Sequence, residues 1–374
     1  VKVQQSRWSE GHGWGGAEDG IGAQLVLVFG NRASLVHPRL ARDLEIRWPG
    51  ATTLGCSTAG QISGTEVFDA GVVATAVQFE HTQVRAASAP VTAPDSAAAG
   101  AALASALAAP DLAHVIVLSE GLDINGEALV RGLGETLPAH VSVTGGLSAD
   151  GELFQETAVL FGGAPCRNTV AAVGLYGTRL RVGCGSLGGW DSFGPERQIT
   201  KATGNVLYEL DGQSALALYK RYLGDHASDL PASGLLFPLS LRTRQASAPV
   251  VRTILSINDS EQSLTFAGNV PVGGYVRLMK ANVDRLIDGA VGAGRTSAAA
   301  LDGPVDLALL ISCVGRRMVL RQRVEEEVEG VRDIVGPAAA ITGFYSYGEI
   351  SPFTPKARCE LHNQTMTVTT LSER

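Results

Sequence analysis

The chain states one phrase three times. Residues 54–64 read Leu-Gly-Cys-Ser-Thr-Ala-Gly-Gln-Ile-Ser-Gly, and residues 342–352 read Thr-Gly-Phe-Tyr-Ser-Tyr-Gly-Glu-Ile-Ser-Pro. Residues 144–152 give a looser copy with one extra residue, Thr-Gly-Gly-Leu-Ser-Ala-Asp-Gly-Glu. Each copy follows a short apolar run, at 51–54, 141–144 and 338–342. Each therefore sets glycine and small hydroxyl residues just past the end of a strand, which is where ligands bind in open α/β sheets. A chain that repeats such a loop is built by duplication and gathers the loops around one site.

The phrase belongs to a longer unit of strand, helix, strand and loop. Unit one is 25–29, 33–47 and 52–54; unit two is 115–118, 124–137 and 141–144; unit three is 307–313, 319–335 and 339–342. The apolar runs predict parallel pairing within each unit. An apolar or alternating strand follows each loop, at 71–79, 169–176 and 365–371, expected antiparallel or at a sheet edge. An alanine-rich helix spans 96–108, with Asp95 as N-cap and Pro110 as stop. Further helices are expected at 213–223 and 283–293, with strands at 250–257 and 263–267 joined by a turn at 258–262. The fold class is α/β: two domains related by duplication, at 1–212 and 213–374, built from repeated strand–helix–strand units with mixed sheets. The glycine-rich segment 183–201, which holds Trp190, Phe193 and Pro195, precedes the boundary and reads as the joint.

With 374 residues, 45% of them hydrophobic and 18% charged, the chain is globular. Its net charge of −7 and the lack of a lysine–arginine cluster argue against a nucleic-acid partner. Five scattered cysteines without a Cys-x-x-Cys pair fit reduced thiols and a cytoplasmic setting. No apolar run is long enough to span a membrane, and residues 1–22 carry no signal-peptide pattern.

These residues, taken together, resemble the FIST family of sensory domains, with an N-terminal and a C-terminal part. The resemblance rests on Gly-Cys-Ser-Thr-Ala-Gly at 55–60, Gly-Trp-Asp-Ser-Phe-Gly at 189–194 and Leu-Tyr-Glu-Leu-Asp-Gly-Gln-Ser-Ala at 207–215. It continues through Tyr-Lys-Arg-Tyr-Leu-Gly at 219–224, Val-Arg-Leu-Met-Lys-Ala-Asn at 276–282, Gly-Phe-Tyr-Ser-Tyr-Gly-Glu-Ile at 343–350 and Leu-His-Asn-Gln-Thr-Met at 361–366. It implies a bacterial, cytoplasmic protein of signal transduction that binds a small molecule such as an amino acid. It also implies a second reading: a haem-binding nitric oxide sensor that regulates a histidine kinase. The expectation is of a stand-alone sensor that acts through a signalling protein partner.

The candidate ligand residues lie on the repeated loops. In the first copy they are Gly55, Cys56, Ser57, Thr58 and Gly60, whose small side chains let a ligand approach the backbone and whose N–H groups can cradle an anion. The other reading of this loop is a tight turn. Cys56 is either a nucleophile or a small packed residue, and no histidine or lysine lies near it in sequence to activate it. In the aromatic copy the candidates are Tyr345, Ser346, Tyr347 and Glu349: the rings line a pocket or plug a core, and Glu349 either binds a ligand ammonium or is a solvated turn residue. The polar cluster Cys359, His362, Asn363 and Gln364 adds Asn363 and Gln364 as ligand contacts. His362 is either the axial ligand, if the cofactor is haem, or a satisfied structural residue, with His37 and His114 as weaker alternatives. Cys359 and His362 alone do not make a zinc site. Trp190, with Asp191 and Phe193, is either a lid or part of a packed connection. An enzyme reading is kept as a third class, with Cys56, Asp150 and Glu349 on converging loops. Its mark would be a base within reach of Cys56.

Two motifs mislead. Gly183-x-Gly185-x-x-Gly188 fits the dinucleotide fingerprint but leads into Gly189-Trp190 and not into a helix. The charged stretch 321–332 places Val324, Val328 and Val331 on one face and reads as an amphipathic helix with a solvated acidic side.

Overall fold

The computed structural model describes residues 1–15, 20–230, 232–243, 249–266, 268–353 and 357–374. The apolar runs of the three units become buried strands: every residue of Leu25–Gly30 and of Leu307–Cys313 is buried, as is nearly all of Leu112–Ser119. Each pairs in parallel with the strand that follows its helix, namely Thr52–Ser57, Ala340–Ser346 and Ser142–Leu147. The strands after the loops, Val72–Gln78, Thr169–Tyr176 and Met366–Glu373, join antiparallel on the other side, as their alternation requires. A fourth strand then closes each sheet: Lys2–Ser9, Gln83–Pro90 or Leu180–Leu187. The repeated units with mixed sheets are thus observed three times over.

The units are interlocked. A hairpin follows each loop, and none of the three pairs within its own unit. Gln61–Ser63 and Glu66–Phe68 extend the third unit's sheet at Ala340–Ser346. Val159–Phe161 and Ala164–Cys166 extend the first at Thr52–Ser57. Gly348–Pro352 and Cys359–His362 extend the second at Ser142–Leu147. This cyclic exchange makes a pseudo-threefold body. Its centre is apolar, with Leu27, Phe29 and Leu54 meeting Ile116, Leu118 and Val173, and Leu309, Ile311 and Phe344. Phe29 and Phe344 have ring centroids 4.7 Å apart. The exchange repeats in side chains too. Thr75 Oγ1 donates to Thr342 Oγ1 at 2.8 Å and Thr369 Oγ1 to Thr144 Oγ1 at 2.9 Å, while Val173 and Leu54 hold the corresponding positions in the apolar centre.

The helices cover the outer faces, and several expected boundaries shift for local reasons. Pro38 splits the first helical stretch into Arg32–Leu35 and Pro38–Arg47. The third unit's stretch is likewise two helices, Val314–Leu320 and Val324–Val335, separated at Arg321 (φ +50°). Asp95 occupies the N-cap of Ser96–Leu107, but its carboxylate accepts from Thr92 Oγ1 and makes no side-chain cap to the helix. The expected strand 250–257 is two, Val250–Arg252 and Ile254–Asn258; Ala267, in the strand expected at 263–267, lies outside the described residues.

The glycine-rich segment is not a loose joint. Most of it is strand, Leu180–Leu187 and Asp191–Thr203. Gly183 and Gly185 lie under helix Val283–Ala298, where a Cβ would come within 1.9 Å of Ser297 O and 2.2 Å of Ala293 O. Their role is close helix-on-sheet packing. Asp191–Thr203 then leads into a separate sheet with its own core around Ile199, Leu216, Tyr219 and Phe266, and the chain returns along Tyr275–Lys280. This sheet is inserted between the closing strand and the first helix of the third unit.

Candidate functional site

The three copies of the phrase are structurally equivalent. Gly55, Gly145 and Gly343 each lie where a Cβ would strike a carbonyl oxygen of the neighbouring strand, at 2.1 Å (Val28), 1.8 Å (Val117) and 1.8 Å (Leu310). Three residues on, Thr58, Ser148 and Ser346 each donate a hydroxyl to the carbonyl at that strand's end: Gly30 at 3.3 Å, Ser119 at 2.7 Å and Ser312 at 3.3 Å. The loops also bind one another. Ala149 N donates to Ser57 O at 2.8 Å, Ala59 N to Tyr345 O at 2.9 Å, Tyr345 N to Gly60 O at 2.8 Å and Tyr347 N to Leu147 O at 3.3 Å. Glycine and small hydroxyl residues recur because the carboxyl ends of three sheets meet here.

A cleft of about 570 Å³ opens at this end. Unit one contributes Arg32, Thr58, Gly60 and Asp69, unit two Asp150, Glu156 and Arg167, and unit three Arg317. Three guanidinium groups and three carboxylates line it, so opposite charges lie side by side. Arg32 and Arg167 share Glu156, and Arg317 pairs with Asp69 and donates to Ala59 O. Asp150 organises one wall: its carboxylate accepts from the backbone N–H groups of Phe154, Gln155 and Glu156 at 2.8–2.9 Å and from the Tyr347 hydroxyl. Gly60, at φ +125°, lies against the Arg317 guanidinium, with 2.9 Å from its Cβ position to Nη1.

Of the residues expected to touch a ligand, Thr58 and Gly60 line this cleft. Gly55 is within its strand. Ser57 is buried and its hydroxyl accepts from Ala158 N at 2.9 Å. Cys56 is fully buried, burial pushes its thiol well above the usual range, and the polar side chain it meets is that of Ser148. Among the described residues no histidine, lysine or carboxylate hydrogen-bonds to it. Tyr345 is fully buried and donates to Glu327 at 2.7 Å, next to the buried Arg316–Glu327 ion pair. Glu349 is fully buried, accepting from Ser346 Oγ at 2.9 Å, Thr365 N at 3.0 Å and Thr365 Oγ1 at 2.9 Å; burial raises it to about 8. Trp190 is packed against Met279, Leu286 and Leu320 and donates to Gln364 O at 2.8 Å, so it is part of a packed connection. Asn363 and Gln364 are fully buried, and Gln364 Nε2 donates to Leu235 O of the inserted segment at 3.0 Å. Tyr347 lines a second cleft.

The histidines are committed to structure. His362 Nε2 donates to Ser351 O at 2.9 Å, and burial lowers its pKa to about 4. His114 is held between Ser142 Oγ at 2.7 Å and Thr144 Oγ1 at 3.0 Å, and burial lowers it to about 3. His37 caps a helix through Nδ1 and pairs with Glu10 through Nε2. None of the three offers a free Nε2 to haem iron, so they do not fit that ligation in this arrangement. Among the described residues no group of three or more metal-ligating side chains is placed to hold a metal, and no helix is long and apolar enough to cross a membrane.

Arg32, Arg167, Glu156 and Asp69 were not marked by the sequence. Nor was Arg317 marked as a site residue. Their convergence follows from the hairpin exchange, which has no local signature.

The fold and this end of it define a repeated α/β protein whose glycine loops close on one charged cleft. Family models match the FIST N domain at residues 24–213 and the FIST C domain at 215–352, and the chain belongs to the FIST family. FIST domains are associated with the sensing of small ligands in signal transduction. No curated protein matches it in sequence. Among solved structures, a cyanuric acid hydrolase from A. caulinodans is similar at 11% identity and a TM-score of 0.20, covering 78% of this chain and 99% of its own.

Proposed function

We propose that this protein is a non-catalytic sensor of a small polar ligand bound in the charged cleft, and that a partner signalling protein reads its bound state. The observation that carries this is that all three repeats line the cleft, so a ligand there touches all three units at once, beside the loop contacts and exchanged hairpins that already join them. The alternation of guanidinium and carboxylate groups favours a zwitterion such as an amino acid, because a ligand carrying both charges is complementary to both signs and can replace internal pairs without leaving either partner unpaired. Among the described residues no base hydrogen-bonds to the buried Cys56, which supports binding over turnover.

Calorimetric titration with a panel of free amino acids tests this. One or more should bind saturably without being consumed. Arg317→Ala should weaken that binding about 10- to 100-fold, the range for removing one charged partner. Turnover of the ligand, or binding that Arg317→Ala and Arg167→Ala both leave unchanged, refutes it. A Soret band in the purified protein that survives in His362→Ala would move the haem reading to a histidine outside this account.

A further inference from the structure

The second cleft has the opposite chemistry. It holds about 340 Å³ and lies between unit two, the aromatic loop of unit three and the inserted sheet. Leu122, Leu147, Phe154, Leu255, Phe266 and Tyr347 form its walls, and among the described residues no charged side chain lines it. Its volume is at the small end of the roughly 300–1,000 Å³ typical of ligand pockets, which are mostly apolar with a few placed polar groups. Its polar side chains are the amides of Asn125 and Asn205 and the hydroxyls of Ser256, Thr265 and Tyr347. Asn125 Oδ1 caps a helix at Ala128 N (2.9 Å) and Asn205 Nδ2 donates to Phe266 O (2.8 Å), which leaves the Asn125 side-chain N–H₂ and the Asn205 side-chain Oδ1 without a partner among the described residues.

One wall is built against local preference. Phe154 has φ +54°, a conformation rare for a bulky side chain. Its N–H is held by Asp150 Oδ1 at 2.9 Å and the Tyr347 hydroxyl at 3.2 Å. The result is a flat stack of Phe154 on Tyr347, with centroids 4.3 Å apart and planes at 10°. Strain of this kind persists where the surroundings over-determine it, and it gathers at binding sites. Of the other lining residues, Leu255 on the inserted sheet remains 40% exposed and Leu122 39% exposed.

We propose that this cleft is a second binding site, for a small, neutral, planar aromatic molecule that lies between the Phe154–Tyr347 stack and Leu122 and Leu255. An uncharged ring system matches the uncharged lining, an aromatic face matches the aromatic wall, and one donor and one acceptor on the ring match the two amides. Ions and zwitterions are excluded here because nothing in the lining would compensate their charge.

Indole is the probe, titrated into full-length protein carrying ¹³C-labelled leucine methyl groups. Saturable shifts are expected at Leu122, Leu147 and Leu255. Leu255→Asp should weaken binding about tenfold or more, by placing a carboxylate against an apolar ligand. Ser256→Trp, at an exposed position on the same strand, should block the cleft while the melting curve stays cooperative. Arg317→Ala should leave indole affinity within twofold, and free glycine should not compete. Absence of saturable shifts at these methyl groups, or equal affinity in wild type, Leu255→Asp and Ser256→Trp, overturns the proposal. Neither result bears on amino-acid binding in the charged cleft.

Discussion

Replacing Glu349 with glutamine should make the protein less stable in acid and more stable in mild base. Glu349 is fully buried and its carboxyl is raised from 4.5 to about 8, because the cost of desolvating the charge exceeds the help from its hydrogen bonds and from Arg316. A carboxyl raised in the folded state contributes stability that is fully present below pH 4.5. That stability declines as pH rises towards 8, since the unfolded chain releases a proton that the folded chain still holds. At about 1.4 kcal/mol per unit, the decline reaches about 3 kcal/mol at pH 7 and about 5 kcal/mol above pH 8. Glutamine has no such decline. The first unit already uses it: Gln61 is the counterpart of Glu349 and accepts from Thr58 Oγ1 at 3.1 Å, as Glu349 accepts from Ser346. Its drawback in unit three is that an amide N–H₂ would face Thr365 N–H, leaving a buried donor unpaired at about 1–3 kcal/mol.

The two stability curves should therefore cross near pH 6, where the about 2 kcal/mol lost to Thr365 equals the ionisation cost. The assay is urea unfolding of wild type and Glu349→Gln at pH 5, 6, 7 and 8, read as the difference between them, so that groups common to both cancel. A difference that is constant within about 0.5 kcal/mol from pH 5 to pH 8 would refute the reasoning.

Arg316→Met should cost about 3–5 kcal/mol, because it leaves Glu327 buried without its cation and takes the guanidinium donors from Gly188 O and Leu286 O. Adding Glu327→Gln should recover much of that loss, and strict additivity of the two in a double-mutant cycle would contradict it. His114, lowered to about 3, holds stability that is present above pH 6.5 and drains as pH falls towards 3. His114→Gln should flatten the acid limb of the thermal stability profile, and an unchanged acid limb would count against a buried neutral imidazole.

The repeat was legible because the same collision recurs three times. Gly55, Gly145 and Gly343 are glycine since a carbonyl of the neighbouring strand occupies the place of a Cβ, and Thr58, Ser148 and Ser346 carry hydroxyls because a strand-end carbonyl needs a donor. Such local requirements leave a mark in sequence. Hairpin exchange does not: Gln61–Ser63 pairs with a strand that starts at Ala340, and nothing near residue 61 announces it. For the same reason the cleft could be placed at the loops, yet of its charges only Asp150 was named. Glu349 and His362 drew attention as polar residues beside a loop, but they are opposite each other in a buried ladder, and burial commits their polar atoms inward.

The inserted sheet should be removable without unfolding the body. The chain leaves and re-enters through an antiparallel stalk in which Asp191 faces Lys280, Ser192 faces Met279 and Phe193 faces Leu278. Facing residues in such a ladder lie about 5 Å apart, so an Asn-Gly turn can join Phe193 to Leu278 in place of residues 194–277. The apolar centre shared by the three units contains no residue from that segment. Beyond the bond from Met279 N to Pro238 O at the stalk, the losses fall at one seam: Arg252 no longer reaches Leu361 O or Glu127, Asn269 N no longer reaches Glu127, and Gln364 loses Leu235 O. These groups become accessible to water, so the cost is a few lost hydrogen bonds, each about 0.5–1.5 kcal/mol, and not an unsatisfied core. The shortened protein should melt cooperatively and keep amino-acid binding in the charged cleft, whose lining lies wholly outside the excised part. It should lose indole binding, because Asn205, Leu255 and Phe266 are gone. A shortened chain that fails to fold even with the turn in place would mean that the insertion holds the third unit together, contrary to the separation of the two cores. One that folds and still binds indole would put the aromatic site elsewhere.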